Sequence, residues 1–215
     1  MARRHPVTLS LLVAIAVLWV LEGGLAIGGG TISLATAVAL GAQYTPLVLA
    51  GQPWRLVTAM FIHWSWLHVL LNGWSLYIVG TVVEPVYGSW RTLGIYLLGG
   101  LLGGVATLAL MPQNVISAGA SGAIFALLGA VLVVAIVARK RIGSSLLWWA
   151  VGIVGINLLF DLYNPQIAIW DHLGGFLGGI LATLVCGLPG RRWSWMNALA
   201  GALLIGLGAG LWMIA

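Results

Sequence analysis

Apolar residues fall in seven long runs, at roughly 8–27, 62–83, 92–111, 118–138, 144–163, 167–188 and 195–214, with polar residues gathered between them. A helix needs about 20 apolar residues to cross the hydrocarbon core of a bilayer, so each run predicts a membrane-spanning helix. The connections are short apart from residues 28–61, a Gly-rich segment ending in Gln52-Pro53-Trp54-Arg55. Residues 31–50 are apolar enough for an eighth span, although Gln43 and Pro46 interrupt them. Charge discriminates, because basic loops favour the cytoplasm. If 31–50 does not cross and the N-terminus is cytoplasmic, then Arg3, Arg4, Arg91, Arg139, Lys140, Arg141, Arg191 and Arg192 all face inward and only Arg55 lies outside. If 31–50 crosses, only Arg3, Arg4 and Arg55 lie inside. The expectation is seven spans, N-terminus in and C-terminus out, with the long segment on the outer face and partly embedded in the interface.

Composition agrees with that pattern. Hydrophobic residues make up 61% of the 215 and charged residues 6%, too few charges to cover a soluble surface. An all-α, polytopic membrane bundle follows, with residues 1–215 as one membrane-embedded domain in contact with the lipid bilayer. The first run follows Arg3 and Arg4 as a signal peptide would, but it is longer than a typical signal core and lacks a small-x-small cleavage site. It reads as a retained span. The single cysteine, Cys186, excludes an internal disulfide. The net charge of +5 sits in short clusters between spans, which set topology and do not point to a nucleic-acid partner. Trp64, Trp66, Trp90, Trp148, Trp149, Trp170, Trp193 and Trp195 lie near run ends, where amphipathic rings prefer the interface. Paired glycines at 99–100, 103–104, 174–175 and 178–179 predict close helix packing.

Polar residues inside the runs are few, and each is costly there. They are His63, His68 and Asn72 near or in the second run, Ser121 in the fourth, Asn157 and Asp161 in the fifth, and Asp171 and His172 in the sixth. The second, fourth and sixth runs all enter from the outer side. At 1.5 Å per residue, Ser121 lies about 5 Å in, His172 about 8 Å, His68 about 9 Å and Asn72 about 15 Å. Four polar residues meeting in one leaflet suit a single water-accessible site.

The residue types suggest its chemistry. A serine hydroxyl needs a base to become a nucleophile, and His172 is the only histidine after Ser121. Gly119, Ala120 and Gly122 keep the surroundings of Ser121 small. His68 and Asn72, four apart, share a helix face and could supply donors to an oxyanion alongside the Ser121 backbone N–H. No acid completes a triad well: Asp171 adjoins His172 and points elsewhere on a helix, and Asp161 belongs to another span. A serine–histidine dyad is expected, its imidazole oriented by packing. Arg55 is expected to steady the outer segment. Glu84 is expected to partner Arg91 or loop backbone groups, and Asn157 and Asp161 to tune a gate or serve structure.

Trp54-Arg55, the stretch HWSWLHVLLN at 63–72, GASG at 119–122 and HLGGFLGG at 172–179, in this order and on these runs, resemble the rhomboid family of intramembrane serine proteases over nearly the whole chain. The resemblance implies a six-helix core, here 8–188, with a water-filled cavity, and the run at 195–214 resembles the extra C-terminal helix of the six-plus-one subgroup. It implies a dyad of Ser121 and His172, oxyanion contacts from His68 and Asn72, and a supporting role for His63. It implies that Gly175 and Gly179 pack the sixth span on the fourth, and that the fifth span forms part of a lateral gate. Where some members have a tyrosine that stacks on the histidine, this chain has Phe125, which keeps the ring; Gly119 and Gly122 would border the substrate cavity with it. Transmembrane proteins are the implied substrates and a bacterial inner membrane the implied location, with no cofactor and no metal.

Other readings predict other patterns. A metal pair would space its histidines differently from His63 and His68, and no HExxH occurs. Cys186 lies far from His172 in depth. A channel would need polar residues through both leaflets, whereas the inner halves of the runs are apolar. A catalytically silent rhomboid-like binder of membrane proteins is the alternative, and the retention of both Ser121 and His172 speaks against it.

Overall fold

The structure, a computed structural model, describes residues 5–23, 31–138, 144–163, 169–188 and 194–215; the basic clusters at 3–4, 139–141 and 191–192, with Trp193, lie outside them. Among the described residues seven long helices match the seven apolar runs: α1 (Pro6–Leu21), α5 (Trp66–Tyr87), α6 (Ser89–Leu110), α7 (Ser121–Val137), α8 (Ser145–Tyr163), α9 (Ile169–Cys186) and α10 (Trp195–Ile214). Five of them are long and apolar enough to cross a membrane, while α1 and α7 are apolar but shorter. The chain is an integral, multi-pass membrane protein.

The long connection does not form a spanning helix. Residues 31–50 break into α2 (Leu34–Leu40), a two-residue strand β1 (Gln43–Tyr44) and α3 (Thr45–Leu49), followed by α4 (Arg55–Thr58). The reason is local: Ser33 caps α2 at its start, Gly41 ends it at φ +110°, and Pro46 opens α3. Arg55 is buried and holds this segment together. Its guanidinium donates to Gln52 Oε1 at 2.7 Å and to the carbonyls of Val38 and Ala42 at 2.7 and 3.0 Å. Gln43 Nε2 donates to the carbonyl of Gly104 at 2.8 Å, and β1 pairs antiparallel with β2 (Ile116–Ser117), just ahead of Ser121. The segment is thus tied to the chain that leads into α7.

α7 is the centre of the bundle. It has no polar face, and twelve of its seventeen residues are buried, as expected of a helix that is hydrophobic all round and enclosed by protein. α10 is equally apolar, but only Ala200 is buried, so its surface faces lipid. α6, α7 and α9 pack on one another most extensively. A side-chain carbon at Gly175 would overlap the Gly122 carbonyl, and one at Gly179 would overlap Ala126, so glycine at both positions lets α9 lie against the α7 backbone. At 17 residues α7 rises about 26 Å, less than the roughly 30 Å hydrocarbon core, so at least one of its ends lies inside the membrane.

Candidate active site

Ser121 is the first residue of α7 and follows a non-helical stretch. Gly119 makes this entry possible. Its φ of +138° suits glycine, and a side chain there would strike the His68 ring 2.8 Å away. Its N–H donates to the carbonyl of Ala59 at 2.9 Å. The first-turn N–H groups of α7 have no partner within the helix and carry its positive dipole end. The N–H of Gly122 donates to the Asp171 carboxylate, whose oxygens occupy the space a side chain at Gly122 would need.

A cavity of about 200 Å³ opens beside Ser121. Asn72, Ser75 and Ile78 of α5 line one side, Trp149, Ile153 and Asn157 of α8 another, and Ser121, Phe125 and His172 the back. Four residues expected from the sequence therefore share one space: Ser121, His172, Asn72 and Phe125. Phe125 stacks on His172, with ring centres 4.3 Å apart and planes within 8°. Asn72 is buried, and its side-chain nitrogen has no hydrogen-bond partner among the described residues. A buried donor without a partner is rare in a resting protein.

The other expected residues sit behind this wall. His68 covers Gly119 and makes an edge contact with the His63 ring at 5.0 Å. The sequence placed His63 close to the start of the second span. In the structure α5 begins at Trp66, because Ser65 caps it by accepting the His68 N–H at 3.2 Å, so His63 precedes the helix. It is fully buried, with Nδ1 at 3.1 Å from the Phe61 carbonyl. Burial first, and then the neighbouring His68, push His63 down to about 3. Gly119 and Gly122 are not part of the cavity lining; their smallness serves the His68 and Asp171 contacts.

One expectation about the base does not hold. The sequence predicts an imidazole oriented by packing without a carboxylate, whereas Asp161 Oδ2 lies 2.6 Å from His172 Nδ1, with both residues buried. A signal was available. Asp161 and His172 stand near facing ends of consecutive helices joined by a short connection, so they can meet across it. Ser121 and His172 border the same cavity without a direct hydrogen bond between them, a common state of unliganded sites. Since Nδ1 is engaged, Nε2 is the nitrogen left to accept a proton. Ser121, a histidine base and open donors at Asn72 and the α7 N-terminus can together support nucleophilic attack on a carbonyl and hold the charge that develops on its oxygen. Among the described residues no group of three His, Cys, Asp or Glu gathers to hold a metal ion.

Fold and cavity together define a multi-pass helical membrane protein in which a serine and a histidine border one cavity within the helical core. Residues 50–189 match the Rhomboid domain, and the chain belongs to the rhomboid family. It is 40% identical to rhomboid protease GluP of Bacillus subtilis over 186 residues, 86% of this chain and 36% of that protein. It is 30% identical to YdcA of the same bacterium over 65% of this chain and 70% of that one. It is also 30% identical to rhomboid-like protease 3 of Toxoplasma gondii, over 70% of this chain and 57% of that protein. The chain thus spans little more than a third of GluP.

Proposed function

We propose that this protein is an intramembrane serine endopeptidase that hydrolyses peptide bonds in or near the transmembrane helices of other membrane proteins. The observation that carries the reading is the shared cavity: a serine, a histidine with one ring nitrogen left open, and a buried amide nitrogen with no partner border the same 200 Å³. The relatives named as rhomboid proteases support the same chemistry.

In this reading His172 Nε2 takes the proton from Ser121 Oγ as the oxygen attacks the scissile carbonyl. The carbonyl π pair moves to oxygen, where the Ser121 N–H and Asn72 receive the charge, and His68, behind Gly119, reaches it only by a turn of its side chain toward the cavity. The imidazolium returns its proton to the leaving nitrogen as the C–N bond breaks. Water repeats the sequence on the acyl-enzyme, and no cofactor enters. Phe125 keeps the imidazole plane fixed throughout, and His63 supports His68 from behind. Substrate helices reach the cavity between α5 and α8, whose side chains form its flanks.

The proposed setting is a bacterial inner membrane, with the N-terminus cytoplasmic and the site near the outer face, residues 1–215 acting as one membrane domain. Arg55 in the long connection and Arg91 at the start of α6 lie toward opposite ends of the bundle, which fits that orientation. The test is cleavage of a single-pass membrane substrate in liposomes, together with labelling by a fluorophosphonate. Ser121→Ala should abolish both, and His172→Ala should reduce cleavage on the order of 10⁴–10⁶-fold. Substrate binding without cleavage or labelling by the unmutated protein would favour the silent binder.

A further inference from the structure

The contact between Asp161 and His172 is the feature that a two-residue site leaves unused. Asp161 belongs to α8 and His172 to α9, so their 2.6 Å contact crosses between helices. Asp161 is 4% exposed and His172 7%, which leaves little room for water to compete. A carboxylate in the membrane interior is costly unless it is satisfied, and here a ring nitrogen satisfies it. Phe125 lies flat on the same imidazole. The stack fixes the ring plane, and the bond at Nδ1 fixes rotation within that plane.

We propose that Asp161 is a positioning residue, particular to this chain, that orients the base of the serine–histidine dyad. This rests on the protease reading above. Asp161 accepts the Nδ1 proton and thereby holds His172 in the tautomer whose Nε2 lone pair is free. When Nε2 takes the proton from Ser121, the carboxylate faces the imidazolium and stabilises it. Asp161 itself takes no proton; the proton passes from Ser121 Oγ to Nε2 and on to the leaving nitrogen.

Two readouts on the full chain in detergent test this. In kinetics, Asp161→Asn keeps the shape but can donate where the carboxylate only accepts, and should lower kcat on the order of 10²–10⁴-fold with KM nearly unchanged. Asp161→Glu, which restores a carboxylate, should recover part of that loss. In ¹⁵N NMR of labelled histidine, His172 should carry its proton on Nδ1 in the unmutated protein and lose that single tautomer in Asp161→Asn. Wild-type kcat in Asp161→Asn would overturn the proposal and make the contact a latch between α8 and α9; so would a His172 proton on Nε2 in the unmutated protein. If the unmutated protein cuts nothing, the protease reading falls, and the tautomer assignment is still decided by the NMR signal.

Discussion

Asn72 and Glu84 stand on the same helix, 12 residues and about 18 Å apart, and both are buried, at 6% and 2% exposure. Glu84 is saturated. Its carboxylate accepts the N–H groups of Val7 and Thr8 at 2.9 and 2.8 Å, and the hydroxyls of Thr8 and Ser89, each at 2.7 Å. It caps the start of α1, where Pro6 leads the helix and the amides that follow it have no partner in their own helix. Of the two partners expected for Glu84, Arg91 or backbone groups, it takes backbone N–H groups; Arg91 donates instead to the carbonyls of Cys186 and Tyr87. Asn72 shows the opposite arrangement: the residue borders a cavity, and its buried side-chain nitrogen has no protein partner. The first cluster has its hydrogen bonds complete in the resting protein and holds helices together. The second keeps a donor in reserve, as expected of a group whose partner arrives with a substrate.

Three experiments can break or sharpen that contrast. The largest effect is expected at Glu84. Glu84→Ala orphans several buried donors at about 1–3 kcal/mol each, so stability should fall by roughly 3–5 kcal/mol. The kcat of the folded fraction should stay the same. A stable Glu84→Ala protein with reduced kcat would reverse the assignment of the two clusters. At Asn72 the pattern should invert: Asn72→Ala lowers kcat about 10²–10³-fold, the loss of one oxyanion donor, with little change in thermal stability. Unfolding without a kcat defect would place Asn72 with Glu84.

The smallest effect concerns His63, buried and neutral in the segment before α5. In the unfolded chain it takes a proton near its ordinary value of about 6.5. The stability tied to its neutral form is therefore complete above pH 6.5 and drains as pH falls toward 3, with about 1.4 kcal/mol of it lost by pH 5.5. Glu22, whose carboxyl burial pushes up, acts in the other direction. Comparing the unmutated protein with His63→Asn at pH 7.5 and 5.5 cancels that contribution. Identical pH slopes in the two proteins would show that His63 does not titrate on unfolding.

Much of the fold was legible in the sequence, because a bilayer imposes a length and an apolarity on every span. The seven runs predicted the seven long helices, and Gln43, Pro46 and the basic residues argued correctly against a span at 31–50. The boundaries were less legible: α5 starts at Trp66 and not at 62, since hydropathy does not register the Ser65 cap that decides where hydrogen bonding begins. Within the site, Ser121, His172, Asn72 and Phe125 could be singled out because polar or patterned residues stand out in apolar runs. Asp161 was equally visible as a residue, but not as a partner of His172. It belongs to another span, and only the packing of α8 beside α9 brings the two groups to 2.6 Å.

The sequence by itself therefore determined that the chain lives in a membrane, how many long helices it makes and which polar residues need explaining. Only the tertiary structure decided which of those residues are complete and which are left open. The physical reason is range: burial in lipid acts on each residue along its own helix, whereas a hydrogen bond depends on a few ångströms between helices that the order of residues does not fix.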